Sequence, residues 1–434
     1  MTEVTIRRTE KLKGEVCAPP SKAYTQRMLI AAALSHGTSK ISGPLVSDDT
    51  EATLRAVKAL GAKVKATEDC WTVEGATPLK GAKTPIDCGE SGATLRFMIP
   101  VAALALEPSV FVLGKSLERR PIEPLLHSLK QLGAEAHSQR LGDKASIVVQ
   151  GGGISGGKTA IRGDVSSQFI SGLMFACPMA LTDTEIILVT SLESKGYVKM
   201  TQAVLAEHGV KAHISEEPNC IRIPSNQTYK PYNHKVPGDF SSAAFLLAAA
   251  AVTRSNVRVK NLGYETMQGD KSILGILKRM GANGKVCPDL VEMEGKGGLL
   301  EAVDVDARDV PDLVPVCTVL ACYAKGTSKI HDAYRLRYKE SDRLLSLYLE
   351  LKKMGAQIAM DESSLTVKGP CALHGVVIDP HNDHRIAMAC AVASLGASGE
   401  TRIQNAECVR KSYPRFFSDL RVLGVDAVGG EFNR

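Results

Sequence analysis

The chain has 434 residues, 44% of them hydrophobic, 23% charged and 5% aromatic, with a formal net charge of +6. That length suits roughly two or three domains of about 100–200 residues, and the composition excludes a disordered or fibrous protein. No Lys/Arg run resembles a nucleic-acid-binding arm, and the longest apolar stretches, AAFLLAAAAV and IAMACAVASL, fall short of the about 20 residues that span a bilayer.

The mild positive charge points either to small anionic ligands or to a basic surface without a role. Eleven scattered cysteines with no C-x-x-C pair, several inside apolar runs, predict reduced thiols in a cytoplasmic protein and no structural metal.

In chain order, MTEVTIRRTEKLKGEV alternates like a strand and has no signal-peptide core. APPSKAYTQRMLIAAAL then starts a buried helix with Lys22 and Arg27 in its first two turns, the wrong sign for a helix N-terminus unless an anion binds there. The two cations stand about 140° apart on a helical wheel, flanking the helix end, with Ser21 as the cap. GESGATLR, carrying Gly92 and Arg96, opens a second apolar helix but lacks the Lys-Ser/Thr ending of a P-loop. GKSLERRPIEPLL places Arg119 and Arg120 before Pro121, read as the first helical residue. GDVSSQF contributes Ser166, Ser167 and Gln168, which taken alone also suit a plain helix cap, and SLESKGYVKM contributes Ser194 and Tyr197. Further on come GDFSSAAF, VPDLVPV with Asp312, RYKESDRLLSLYLELKKMG with Lys339, Glu340 and Arg343, HNDHRIAM with His384 and Arg385, and CVRKSYPRFF with Lys411. Lys339, Glu340 and Arg343 alone would also fit a solvated charge cluster.

Two series run through these segments in register. VKALGAKV, LKQLGAEA, LAEHGVKA, LKRMGANG, LKKMGAQI and LRVLGVDA each read as a helix end, a glycine stop and a strand entry. Their glycines, Gly61, Gly133, Gly209, Gly281, Gly355 and Gly424, are spaced 72, 76, 72, 74 and 69 residues apart. The polar heads at Ser21, Ser91, Ser166, Ser241, Asp312 and Asp383 precede those glycines by 40, 42, 43, 40, 43 and 41 residues. With β-like runs such as SVFVLG, SIVVQG, EIILVT and NVRVKNL, each unit reads βαβαββ, so the chain is an α/β protein of six repeats. Residues 1 to about 19 are expected to complete the sheet of the last unit.

Most unusual side chains lie within two turns of a predicted helix start, where N–H donors and the helix dipole favour anions and arginine adds bidentate recognition. A surface charge cluster has no reason to recur at one position of a repeat. The pattern therefore predicts a site for two or more phosphate or carboxylate groups. Its fixed cations suit a phosphate leaving group, and Asp312 and Glu340 suit proton transfer.

Taken together, PSKAYTQR, GESGATLR, ERRPI, GDVSSQF, ESKGY, PDLVPV, YKESDRL, NDHRIAMA and RKSYPRFF resemble, in order and spacing, the motifs of the enolpyruvyl transferases over essentially the whole chain. The resemblance implies two similar three-repeat domains joined by a two-strand hinge, one comprising residues 20–234 and the other residues 1–19 with 235–434. It implies addition of the 5-hydroxyl of shikimate 3-phosphate to C2 of phosphoenolpyruvate, protonation at C3 and elimination of phosphate, giving 5-enolpyruvylshikimate 3-phosphate for chorismate and aromatic amino acid synthesis. Carried over by motif, Lys22 contacts both substrates. Arg27, Ser166, Ser167, Gln168, Ser194, Asp312 and Lys339 bind shikimate 3-phosphate. Gly92, Arg120, Gln168, Arg343, Arg385 and Lys411 bind phosphoenolpyruvate. Asp312 accepts the hydroxyl proton and Glu340 donates to C3, assisted by Lys22 and His384. A monomer without cofactor, metal, nucleic acid or membrane is implied.

Three positions depart from the family pattern. Ala23 replaces a phosphate-binding serine, Glu90-Ser91-Gly92-Ala93 replaces Asn-x-Gly-Thr and puts an extra acid near the phosphoenolpyruvate pocket, and Arg335 replaces an asparagine. The sister transferase acting on UDP-N-acetylglucosamine uses a loop cysteine that GKSLERRPI lacks. RNA 3′-phosphate cyclase would need a basic-aromatic surface, which is not visible. A non-catalytic anion-binding protein is opposed only by the paired acids Asp312 and Glu340.

Overall fold

A computed structural model describes residues 2–215, 219–295 and 298–430. Contacts divide the chain into two units, Ser21–Val236 and Met1–Pro20 with Pro237–Arg434. The inserted unit carries helices α1 (Lys22–Ala33), α2 (Asp48–Ala59), α3 (Gly92–Ala103), α4 (Glu123–Gln131), α5 (Ser167–Ala176) and α6 (Lys195–Glu207). The other carries α7 (Phe240–Val252), α8 (Ile273–Arg279), α9 (Val314–Tyr323), α10 (Arg343–Lys353), α11 (His384–Ser394) and α12 (Phe416–Val422). Odd-numbered helices are buried nearly all round and pack inside their units: α3 against α5, and α11 against α7 and α9. Even-numbered helices bury one face only, as α10 does through Leu344, Leu347 and Leu351.

Each repeat forms one small sheet with a constant plan. In the third, Gly157–Ile161 runs parallel to Thr184–Leu188, which pairs antiparallel with Cys220–Ile223 and through it with His213–Ser215. The second repeats this with Ile86–Asp87, Ser109–Val112, Lys144–Val149 and Ala136–Leu141. The parallel pair needs a helical crossover, which the odd-numbered helix supplies, and the hairpin needs only a short turn. All six repeat glycines have positive φ, from 76° at Gly209 to 109° at Gly61, the backbone region that ends a helix at little cost only for a residue lacking Cβ.

The chain ends divide differently from the expectation. Val4–Arg7 lies between Glu400–Ile403 and Ala427–Gly429 and completes the sixth sheet. Lys13–Cys17 does not join it; it runs parallel to Asn256–Lys260 and opens the fourth. His234–Lys235 likewise runs parallel to Thr38–Ser42 and opens the first. The first and fourth heads have no strand directly upstream within their own units, so a strand from the opposite end of the unit's sequence fills that edge.

The heads also shift in detail. Ser21, Ser91, Ser166 and Asp383 cap their helices through the side chain, but at the fourth repeat the cap is Asp239, two residues before Ser241, and at the fifth Asp312 precedes the cap position Leu313. Pro121 is not the first helical residue: Leu117–Arg119 form a 3₁₀ turn and α4 begins at Glu123, with Pro124 in its first turn.

Candidate active site

In the inserted unit, the cation at the start of α1 has a carboxylate partner that the sequence reading missed. Lys22 Nζ lies 2.9 Å from Asp49 Oδ2, in the first turn of α2, where an acid is favoured by the helix dipole. Arg27 is buried and ties α1 to α6: Nε donates to Thr201 Oγ1 at 2.8 Å, Nη1 to the Ala23 carbonyl at 3.0 Å and Nη2 to the Tyr197 carbonyl at 3.2 Å. Its guanidinium sits 5.0 Å from the centre of the Phe97 ring, and burial pushes its pKa down to about 10.

Gly92, Arg96, Arg120 and Gln168 converge. Arg96 Nη1 donates to Gln168 Oε1 at 2.8 Å, and a Cβ at Gly92 would lie 3.1 Å from Arg120 Nη1 and 3.6 Å from Gln168 Oε1. Glycine at this helix start leaves room for the guanidinium. Ser166 caps α5 by accepting from Gln168 N at 3.3 Å, with Ser167 next in line. Ser194 precedes α6 with φ 56°, sparsely populated for a residue with a side chain, and makes no cap bond through its hydroxyl. Such a conformation persists where the surroundings impose it, commonly at ligand sites.

In the other unit the charged residues form one network around Arg343, whose side chain is 1% exposed. Nε and Nη2 clasp Asp383 at 2.9 and 3.2 Å, Nη2 also reaches Glu340 Oε2 at 2.6 Å, and Nη1 reaches Asp312 Oδ1 at 3.0 Å. Arg385 Nη2 takes the other Asp312 oxygen at 3.1 Å, and its Nη1 the Asp312 carbonyl at 3.2 Å. Lys339 Nζ stands 3.9 Å from Asp312, with its side chain 30% exposed; desolvation and the neighbouring arginines push its pKa down to about 8. Burial alone would raise the Asp312 pKa, but Arg385, Lys339 and Arg343 hold it well below the usual carboxylate range. His384 is buried with Nδ1 3.9 Å from Asp383 Oδ1, and Lys411 Nζ donates to the Asn382 carbonyl at 2.5 Å. Lys339, Glu340 and Arg343 are thus not a solvated cluster. Asp383 serves twice, capping α11 at the Arg385 N–H and anchoring Arg343.

A further acid was invisible in the sequence. Asp270, buried beside the fourth helix head, accepts the Ser241 hydroxyl on Oδ2, while Oδ1 has no hydrogen-bond partner among the described residues. Burial, with Asp312 nearby, pushes its pKa up to about 7. The native state therefore binds a proton that the unfolded chain releases near pH 4. This contribution to stability is fully present below pH 4 and is lost as pH rises toward 7, by about 1.4 kcal/mol per unit. Asp270→Asn is expected to gain stability relative to wild type progressively over that window in urea unfolding; a difference independent of pH would contradict it.

Three metal-capable side chains approach one another among the described residues at Asp306, His331 and Asp332, but Arg308 already pairs with Asp306 at 2.5 Å. No described helix is long and apolar enough to cross a membrane.

Comparison with known proteins adds a second line of support. The family model for EPSP synthase (3-phosphoshikimate 1-carboxyvinyltransferase) matches residues 6–420. The 3-phosphoshikimate 1-carboxyvinyltransferase of Methanocaldococcus jannaschii is 41% identical over 97% of this chain and 98% of its own length, and that of Methanocella arvoryzae is 44% identical over 95% and 96%. Among solved structures, EPSP synthase from Acinetobacter baumannii superposes with a TM-score of 0.83 at 25% identity, covering 99% of this chain and 100% of that one. The enolpyruvyl transferase NikO from Streptomyces tendae shares the fold at TM-score 0.81 and 18% identity, covering 99% and 98%.

Proposed function

Because the chain belongs to the EPSP synthase family and is an enolpyruvyl transferase of the shikimate pathway, we propose that the side chains described above carry out its addition-elimination reaction. Lys22 serves both substrates; Arg27, Ser166, Ser167, Gln168, Ser194, Asp312 and Lys339 bind shikimate 3-phosphate; Gly92, Arg120, Gln168, Arg343, Arg385 and Lys411 bind phosphoenolpyruvate. The observation that carries this reading is Asp312, a carboxylate bonded to Arg343 and Arg385 and flanked by Lys339.

Asp312 is the acceptor of the 5-hydroxyl proton. With both arginines bonded to it the carboxylate is ionised but weakly basic. An anionic substrate seated on the same guanidinium groups shares them and adds negative charge, and both effects raise the proton affinity of Asp312. The same competition at Arg343 favours a protonated Glu340, which delivers its proton to C3 of phosphoenolpyruvate. Lys22 and His384 assist. Charge on the departing phosphate then falls to fixed cations, which stabilise it without reorganisation during the reaction. The enzyme acts as a cytoplasmic monomer; its eleven cysteines, all free and seven of them buried, support a reducing compartment.

The test is phosphate release from phosphoenolpyruvate in the presence of shikimate 3-phosphate. Release is expected with that acceptor and not with UDP-N-acetylglucosamine; the reverse preference would overturn the substrate assignment. For Gly92→Ala, whose Cβ would stand 3.1 Å from Arg120 Nη1, KM for phosphoenolpyruvate is expected to rise by about tenfold, equivalent to about 1.4 kcal/mol. An unchanged KM would remove Gly92 from that pocket.

A further inference from the structure

Glu90 stands two residues before Gly92, at the start of α3, where a carboxylate should repel an anionic substrate. Its geometry shows another use. Glu90 Oε2 accepts the Ser116 backbone N–H at 3.0 Å and also the Ser116 hydroxyl, while Ser116 Oγ accepts an N–H from Arg120 Nη2 at 2.7 Å. The hydroxyl's one hydrogen goes to the carboxylate and its lone pair to the guanidinium, so the chain Glu90–Ser116–Arg120 is saturated in one direction. The loops that carry it are fixed to each other: Gly114 N donates to the Gly89 carbonyl at 2.8 Å, and a Cβ on Gly114 would lie 2.6 Å from Glu90 Oε1. From there Arg120 N closes a turn on the Leu117 carbonyl at 3.0 Å.

We propose that Glu90 is a positioning residue for phosphoenolpyruvate: through the Ser116 hydroxyl it orients Arg120 beside Gly92, an inference that rests on the transferase reading above. A long arginine side chain loses rotamer freedom when it binds an anion, and a chain of hydrogen bonds ending in a carboxylate fixes its fork in advance. The intervening serine keeps the negative charge one residue away from the bound anion.

The experiment is steady-state kinetics on Glu90→Ala, Glu90→Gln, Ser116→Ala and the Glu90→Ala/Ser116→Ala double variant. Glu90→Ala and Ser116→Ala are each expected to raise KM for phosphoenolpyruvate by about tenfold, with KM for shikimate 3-phosphate within about twofold of wild type. The double variant should be no worse than the more impaired single variant, because both break one path. Glu90→Gln, whose amide oxygen still accepts from Ser116, should recover most of the affinity. An unchanged KM for phosphoenolpyruvate in Glu90→Ala and Glu90→Gln overturns the inference. A lowered KM in Glu90→Ala also overturns it, since that is the signature of simple repulsion. Equal rises in both KM values, with a lowered unfolding midpoint, would assign Glu90 a merely structural part. Wild-type protein inactive with both substrates defeats the transferase reading and this inference with it, whereas active wild type with unaltered variants defeats the inference alone.

Discussion

Arg343→Met is expected to lose about 3–5 kcal/mol of folding stability together with nearly all activity, because one guanidinium is bonded to three carboxylates that have little access to water. Asp383 is fully buried and bonded to Arg343 through both oxygens, and Asp312 and Glu340 are largely buried. Methionine fills much of the volume but leaves Asp383 with an uncompensated charge. Left without its cation, the buried carboxylate draws water into the core. Urea unfolding monitored on wild type, Arg343→Met and Arg343→Met/Asp383→Asn measures the effect. The double variant should recover part of the loss, since the neutral amide no longer needs a cation. A single-variant loss under about 1 kcal/mol would mean that Asp383 is satisfied by other groups.

Asp312→Asn should lower kcat by about 10²- to 10⁴-fold, the usual range for removing a general base, while leaving the KM of both substrates within a few-fold. The amide oxygen can still accept from Arg343 Nη1, and Arg385 keeps its bond to the main-chain carbonyl of residue 312, so both cations stay tethered. What disappears is the ability to take the proton. Glu340→Gln should show the same separation through loss of the proton donated to C3. Wild-type turnover in either variant would remove that residue from proton transfer, and a large rise in KM with kcat preserved would leave it a part in substrate binding alone.

Local requirements of the fold leave a mark in residue type, whereas long-range pairings do not. Gly61, Gly133, Gly209, Gly281, Gly355 and Gly424 mark a local backbone requirement, positive φ at a helix end, and local requirements are written in residue type; the repeat was therefore legible. The assignment of Lys13–Cys17 to the fourth sheet and not the sixth was not, because it pairs with Asn256–Lys260 far along the chain and strand periodicity is blind to partner. The candidate side chains Asp312, Glu340, Arg343 and Arg385 stood out because charge at an apolar helix start is unusual. Asp49, Asp270 and Asp383 did not stand out as ion-pair or proton-binding groups: an acid early in a helix or turn is ordinary, and only its neighbours make it more. Ser116 was hidden for the same reason, since a serine before a 3₁₀ turn carries no hint that it joins Glu90 to Arg120. Pro121 misled because a second proline, Pro124, takes the early-helix place.

On the proposed mechanism, C3 of phosphoenolpyruvate is protonated during enolpyruvyl transfer to shikimate 3-phosphate. The reaction in deuterium oxide, followed by mass spectrometry and proton NMR of the product, tests it most directly. Addition makes C3 a methyl group carrying one solvent deuteron, and elimination then removes one of its three hydrogens, so deuterium is predicted in the product's vinyl CH₂. Enolpyruvyl product formed with phosphate release but no deuterium at C3 would contradict the account.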